Sequence, residues 1–156
     1  MLSPDNPLHL LRVHLGGAIL GLPSTSVREI VRAVAITPLP GAPAIVEGVV
    51  NVRGELVPVI DVRQRLALPP KPLDPGEFLV LMQVDDRAFA LRVDDVDDLV
   101  ELQGGLLESS ASVSPALRGL AGLAPSADGV LVIHDPATFV SQAESEAIDA
   151  ALSAHP

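Results

Sequence analysis

The sequence predicts a mainly β fold of two related five-stranded units, each with strands short enough to close into a small barrel, and a short helix near the C-terminus. Three observations carry this. First, 15 Pro and 12 Gly cut the 156 residues into short apolar runs rich in Val, Leu and Ile, a pattern of strands separated by turns. Second, the chain repeats itself. Leu15-Gly16-Gly17-Ala18, Leu22 and Val27-Arg28-Glu29-Ile30-Val31 match Val84-Asp85-Asp86-Arg87, Leu91 and Val96-Asp97-Asp98-Leu99-Val100 at a constant offset of 69 residues, from 15 to 84 and from 27 to 96. Third, Pro69-Pro70-Lys71-Pro72-Leu73-Asp74-Pro75-Gly76 divides the two copies. Its prolines lack backbone donors and cannot sit inside a ladder, so it reads as a stiff connector.

The elements follow in order. Leu8–Leu15 and Ala18–Leu22 form a hairpin around the two-residue turn Gly16-Gly17. A helical turn capped by Ser26 and Glu29 should lead into a strand Ile30–Ala35. Gly48–Val52 and Glu55–Ile60 flank Asn51-Val52-Arg53-Gly54, in which Asn51 and Gly54 suit a type I turn with a bulge at a left-handed glycine. That turn presents Arg53 at an exposed tip, where a guanidinium can meet a carboxylate of another protein bidentately. Pro58 marks its strand as an edge or a bulged one. The second copy supplies Phe78–Val84, Arg87–Val93, Leu99–Leu102, Leu117–Leu123 and Val130–His134. Gln142–Leu152 reads as helix, with Ala143, Ile148, Ala151 and Leu152 apolar and Ser141 able to cap against Glu144. Closure into barrels removes the open edges that such short strands would leave in a flat sheet.

Composition excludes several functions. The chain has no Cys, which removes thiol nucleophiles and Cys metal sites and fits a reducing compartment, so a cytoplasmic location is expected. A net charge of -10, a single lysine at Lys71, no Trp, no Tyr and three Phe argue against nucleic acid and a membrane surface. No basic region opens the chain and no apolar run approaches the roughly 18 residues of a membrane span, so neither export nor insertion is expected. The charge is uneven. Residues 24–68 hold five Arg and four acids, whereas 74–108 hold ten acids and two Arg, an asymmetry suited to sorting protein partners by field.

No constellation of residues makes a convincing active site, and neither a cofactor nor a metal is expected. Asp61 and Asp135 occupy comparable places in the two copies, as a carboxylate dyad between two lobes would require, but capping of the helical turns that follow explains both with less. His9 and His14 lie an odd number of positions apart on one strand and so face opposite sides. His134 reads as a half-buried strand residue and His155 as part of the tail. Asp94-Asp95-Val96-Asp97-Asp98 lacks the ligand spacing and glycine of a calcium loop and reads as a solvated turn.

With these residues in view, the chain resembles the CheW-like chemotaxis coupling proteins from about Leu8 to Phe139. The most specific segment is Gly48-Val49-Val50-Asn51-Val52-Arg53-Gly54-Glu55-Leu56-Val57-Pro58-Val59-Ile60-Asp61-Val62. Val27 to Val31, the Thr37-to-Pro43 loop, Leu91 to Val100 and Gly119-Leu120-Ala121 support it. The resemblance implies two intertwined SH3-like barrels over residues 8–140, the first over roughly 16–68 and the second over roughly 77–140 with the N-terminal strand, then a helix and tail at 141–156. It also implies a non-catalytic adaptor that holds a chemotaxis-type histidine kinase beside the cytoplasmic tip of a chemoreceptor. By that analogy the receptor helix lies in a groove near Val27, Glu29, Ile30 and Arg53, and the kinase meets Glu77 and Phe78. Two alternatives are an adaptor of a divergent pathway for surface motility or development, and a two-lobed hydrolase using Asp61 and Asp135.

Overall fold

The computed structural model describes residues 8–102, 120–126 and 129–154. Among the described residues, ten strands and two α-helices follow one another: β1 (Leu8–Leu15), β2 (Ala18–Pro23), β3 (Val27–Arg32), β4 (Val46–Val52), β5 (Glu55–Ile60), α1 (Val62–Arg65), β6 (Phe78–Val84), β7 (Arg87–Val93), β8 (Asp95–Leu102), β9 (Leu120–Ser126), β10 (Gly129–His134) and α2 (Gln142–Ser153). They build two five-stranded sheets. One has the order β8-β1-β2-β10-β9, the other β3-β6-β7-β5-β4.

The sheets do not follow the linear division at the proline connector. β1 and β2 hydrogen-bond with β8 and β10, while β6 and β7, expected in the second unit, lie in the sheet of β3, β4 and β5. Each copy of the repeat therefore gives its first hairpin to the other copy's sheet. The two sheets are images of one another: β1–β2 and β6–β7 are the exchanged hairpins, and each sheet has one parallel pair, β2 with β10 and β7 with β5. Strand pairing is local information that periodicity reports; which sheet a strand joins is not.

The core has three parts because each strand alternates between faces. Val50, Val57, Val59, Leu79, Leu81 and Ala90 pack within one sheet, and Leu10, Ile19, Leu131 and Ile133 within the other. A larger shared core joins them, with Leu11, Val13, Leu15, Leu20 and Leu22 from one sheet against Ile60, Val80, Met82, Phe89, Leu91 and Val93 from the other. Phe139 enters it edge-on to Phe89, at a ring distance of 6.2 Å and an angle of 66°. Helix α2 adds Ile148. Its start carries the expected capping box, with Ser141 Oγ accepting from the Glu144 N–H and the Glu144 carboxylate accepting from the Ser141 N–H.

Four local expectations need correction. Residues 27–32 are strand, not a capped helical turn; the turn is a short 3-10 stretch at Ser24–Ser26 with no side-chain cap. The acidic run of residues 94–98, expected as a solvated turn, is a bend at Asp94 followed directly by β8. Its acids are tolerated because β8 is a sheet edge, where charge also deters unwanted pairing. The β4–β5 hairpin closes in two residues, because Val52 pairs with Glu55, and Arg53 (φ 50°) and Gly54 (φ 90°) are both left-handed. Such a turn matches the twist of the strands better than the expected three-residue loop. Finally, β5 lies inside its sheet, yet Pro58 is tolerated since the parallel ladder with β7 starts only at Val59.

The proline connector is laid against the body. Arg63 donates to the Pro69 carbonyl (3.1 Å) and Arg92 to the Lys71 carbonyl (2.7 Å). Both arginines are buried and paired: Arg63 Nη2 bridges both oxygens of Asp94 at 2.7 and 2.8 Å, and Arg92 meets Glu47 and Glu77. Asp94 also accepts from the Gly16 N–H at 2.8 Å, so a single carboxylate ties the β1–β2 turn of one sheet to α1 at the end of the other.

Candidate docking site

A groove of about 330 Å³ opens where the edge strands β3 and β8 approach each other, lined by Leu11, Ser24, Val27, Arg28, Glu29, Ile30 and Leu99. Ile30 is 40% exposed and Leu99 62%, two of the five large apolar side chains exposed among the described residues and the two that share this groove. These two residues are repeat mates, related by the 69-residue offset, so the groove lies on the pseudo-symmetry of the fold. Strand alternation alone would put Val27 and Ile30 on opposite faces. The register slip between Val27 and Glu29 in the β3–β6 ladder resets the phase, and both reach the groove.

Charged pairs fix the groove's wall. Arg53 at the β4–β5 tip donates through Nη2 to both carboxylate oxygens of Glu29, 2.8 Å to Oε2, and Arg28 meets Glu55 at 3.1 Å. The two pairs run crosswise between β3 and the β4–β5 hairpin. Arg53 is exposed, as expected of a turn tip, but it is engaged with Glu29 and is drawn further toward its charged form by that hydrogen bond. A partner carboxylate must therefore share or displace Glu29. Below the tip, Asn51 Oδ1 accepts from the Gly54 N–H at 2.7 Å and holds the turn. Beneath it, Thr37 and Val49 exchange backbone hydrogen bonds of 3.0 and 2.7 Å, which brings the chain after β3 onto β4. Gly48 is required there, because a Cβ at that position would lie 2.3 Å from the Thr37 carbonyl oxygen.

The second group of expected contact residues is placed differently. Glu77 is only 2% exposed and holds Arg92 at 3.0 Å and the Asp74 N–H at 2.7 Å, with Lys71 at 3.6 Å. It is an internal tie at the start of β6 and presents no surface to a partner. Phe78 is half-buried, with the Arg32 guanidinium 5.1 Å from its ring centroid. Glu47, the other acid on Arg92, is pushed above its ordinary value by burial, which Arg92 only partly offsets.

The aspartates of the dyad reading are both caps. Asp61 accepts from the Gln64 N–H at 3.1 Å at the start of α1, and Asp135 from the Ala137 N–H at 3.1 Å at the 3-10 turn Pro136–Thr138. They end β5 and β10, which belong to different sheets. His14 donates its Nε2–H to the Asp97 carboxylate at 2.7 Å, and the acids of residues 94–98 are spread over the Arg63 pair and the β8 edge. His155 and the side chain of His134 lie outside the described residues. So do Leu117 to Gly119 of the expected ninth strand. No helix among the described residues is long and apolar enough to cross a membrane.

Sequence reasoning missed Leu11, Ser24, Arg28 and Leu99 in the groove. The repeat carried the signal for Leu99, since adding the offset to Ile30 names it.

The CheW-like domain family matches residues 9–144. The chain belongs to the CheW-like family. Among its relatives, the chemotaxis protein CheW of Treponema pallidum is 30% identical over 113 residues, covering 70% of this chain and 66% of that protein. A probable chemotaxis protein CheW of Rhizobium etli is 34% identical over 129 residues, or 78% of this chain and 80% of its own length. The crystal structure of the scaffolding protein TtCheW from Thermoanaerobacter tengcongensis superposes with a TM-score of 0.78 at 23% identity, covering 89% of this chain and 91% of that one. The two-sheet, SH3-like CheW fold with a short C-terminal helix is thus the fold of this chain.

Proposed function

We propose that this CheW-like chain is a non-catalytic adaptor that couples a chemoreceptor to a chemotaxis-type histidine kinase. The observation that carries the reading is the apolar strip of Ile30 and Leu99, one residue from each sheet, bordered by charged pairs. An apolar floor supplies burial, and a rim of Arg28, Glu29 and Arg53 supplies register. An amphipathic helix, such as the tip of a receptor hairpin, would lay its apolar stripe along that floor. We assign the kinase contact to the start of β6, where half-buried Phe78 leaves the shared core and carries the exposed Arg32 guanidinium over its ring, with Glu77 supporting the strand from within.

The test is capture of a receptor tip fragment by the full chain. Leu99→Asp and Arg53→Glu should each weaken capture at least tenfold while leaving the far-UV spectrum unchanged, and Phe78→Asp should weaken capture of the kinase's regulatory domain and spare the receptor fragment. Undiminished receptor binding in folded Leu99→Asp would remove the groove from the site.

A further inference from the structure

The 69-residue match runs on through both edge strands that wall the groove. Val27-Arg28-Glu29-Ile30-Val31-Arg32 on β3 corresponds to Val96-Asp97-Asp98-Leu99-Val100-Glu101 on β8. Every apolar position stays apolar, while each arginine of β3 is matched by an acid on β8, Asp97 for Arg28 and Glu101 for Arg32. The floor of the groove is therefore built from like residues and its walls from unlike ones. β3 holds two Arg and one Glu, a net +1, and its Arg28 and Glu29 are already closed into the crosswise pairs with Glu55 and Arg53. β8 holds Asp95, Asp97, Asp98 and Glu101, a net −4. Asp97 is turned to β1, with His14 Nε2 at 2.7 Å and Arg12 Nη2 at 3.8 Å, and His9 stands opposite Glu101 in the ladder. One arginine and two histidines thus face four carboxylates, and Asp95, Asp98 and Glu101 are exposed. Glu101, two residues beyond Leu99, lies on the same face of its strand.

We infer that the groove takes an amphipathic helix with Lys or Arg along one flank, and that the acidic β8 wall fixes the direction in which that helix lies. The inference rests on the groove being the docking site. A floor of repeat mates does not tell one direction from the other, because turning a helix end for end keeps its apolar stripe down and exchanges only its flanks. The walls must do so. A basic flank set against β8 is attracted by its carboxylates, whereas the same flank set against β3 meets Arg28 and Arg32. Asp98 and Glu101 are then specificity residues, and the β3 rim supplies register.

The test reads direction as well as affinity. Two helical peptides of about 18 residues share one leucine stripe; one carries Lys on the left flank and Gln on the right, and the other has them exchanged. Each bears a nitroxide at its N-terminus and is bound to the ¹⁵N-labelled full chain at low ionic strength. Both should shift Leu99, and the label should broaden amides at the Ser24 end of β3 with one peptide and at the Arg32 end with the other. Exposed charges contribute modestly, so a Glu peptide should bind about threefold or more weakly than the Lys peptides, and the Asp98→Asn, Glu101→Gln double variant should lose a similar factor for the Lys peptides together with their fixed direction. Binding over Leu99 in one direction whatever the flank, or unaltered affinity and direction in the double variant, would overturn the inference and leave the groove reading standing. Absence of binding, or shifts that avoid Leu99, would remove the groove reading and this inference with it.

Discussion

At the scale of single residues, the most informative positions are those where the backbone or a buried charge leaves no choice. Gly48 is one. A methyl group there meets a backbone oxygen, which cannot rotate aside as a side chain can, so Gly48→Ala must separate β4 from Thr37. We expect a loss of about 2–3 kcal/mol in denaturant unfolding, together with loss of hydrogen-exchange protection at the Val49 amide; retained protection would show that the contact is slack. Asp94 is another. Burial opposes its charge, but the Gly16 N–H and the Arg63 guanidinium outweigh burial and hold its carboxyl below the ordinary 3.8. Asp94→Asn keeps an acceptor for Gly16 yet strips a buried arginine of its countercharge, and should cost about 3 kcal/mol. A loss under about 1 kcal/mol by urea titration would mean that Arg63 is solvated after all. Gly48, Asn51 and Gly54 were legible in the sequence because their demands are local. The burial of Glu77 was not, since it depends on Arg92 and Glu47 arriving from other strands.

At the scale of elements, α2 is held by a few separate contacts, and each can be removed singly. It buries Ser145, Ile148 and Ala151, caps itself through Ser141, and is pinned by Arg65 to Glu144 at 2.7 Å and by Arg87 to Asp149. Ser141→Ala should cost about 1 kcal/mol, whereas Ile148→Ala, which opens a hole in the shared core, should cost about 2–5 kcal/mol. The pins also set a pH dependence. Burial tends to raise Glu144, but Arg65 and the Ser141 N–H lower it below 4.5, and the hydrogen bond from Arg87 lowers Asp149 below 3.8. A carboxyl whose folded pKa is depressed contributes stability that is complete above its unfolded pKa and is lost as pH falls through the folded one. Acidification from pH 6 to below 4 should therefore loosen α2, read as faster amide exchange at Ile148 and Ala151. Because Asp149 is exposed, most of the effect belongs to Glu144; Arg65→Ala should flatten the pH dependence, and an equally steep profile would exclude the pin. Period-two runs and the capping box made most elements readable, whereas the exact starts of β3 and β8 were hidden by bulges that shift the phase by one residue.

For the whole molecule, the exchanged hairpins decide how it can fold. The 69-residue repeat was visible in the sequence, but the strand pattern by itself does not say which sheet a hairpin joins, since it is satisfied in either; the intertwining came only from the family resemblance. The consequence concerns cutting. A chain divided in the proline connector yields halves that each contain strands of both sheets, so each half would hold a hairpin with no sheet to join and half of the shared core facing water. Edge strands and apolar faces left open in this way cannot sustain a fold of that size. Residues 1–72 and 73–156 should each be unfolded alone by near-UV and NMR criteria, and should recover the native amide spectrum when mixed in equal amounts, with second-order kinetics because both sheets need both chains. The intact chain should correspondingly unfold in one transition, with identical midpoints for probes placed in either sheet. A cooperative melt by either half alone would show that one copy of the repeat can close on its own hairpin, and that the exchange is not what holds the molecule together. If the halves fold only together, the groove is a fixed feature of one body, and an adaptor with such a groove transmits a signal by the partners it holds in place.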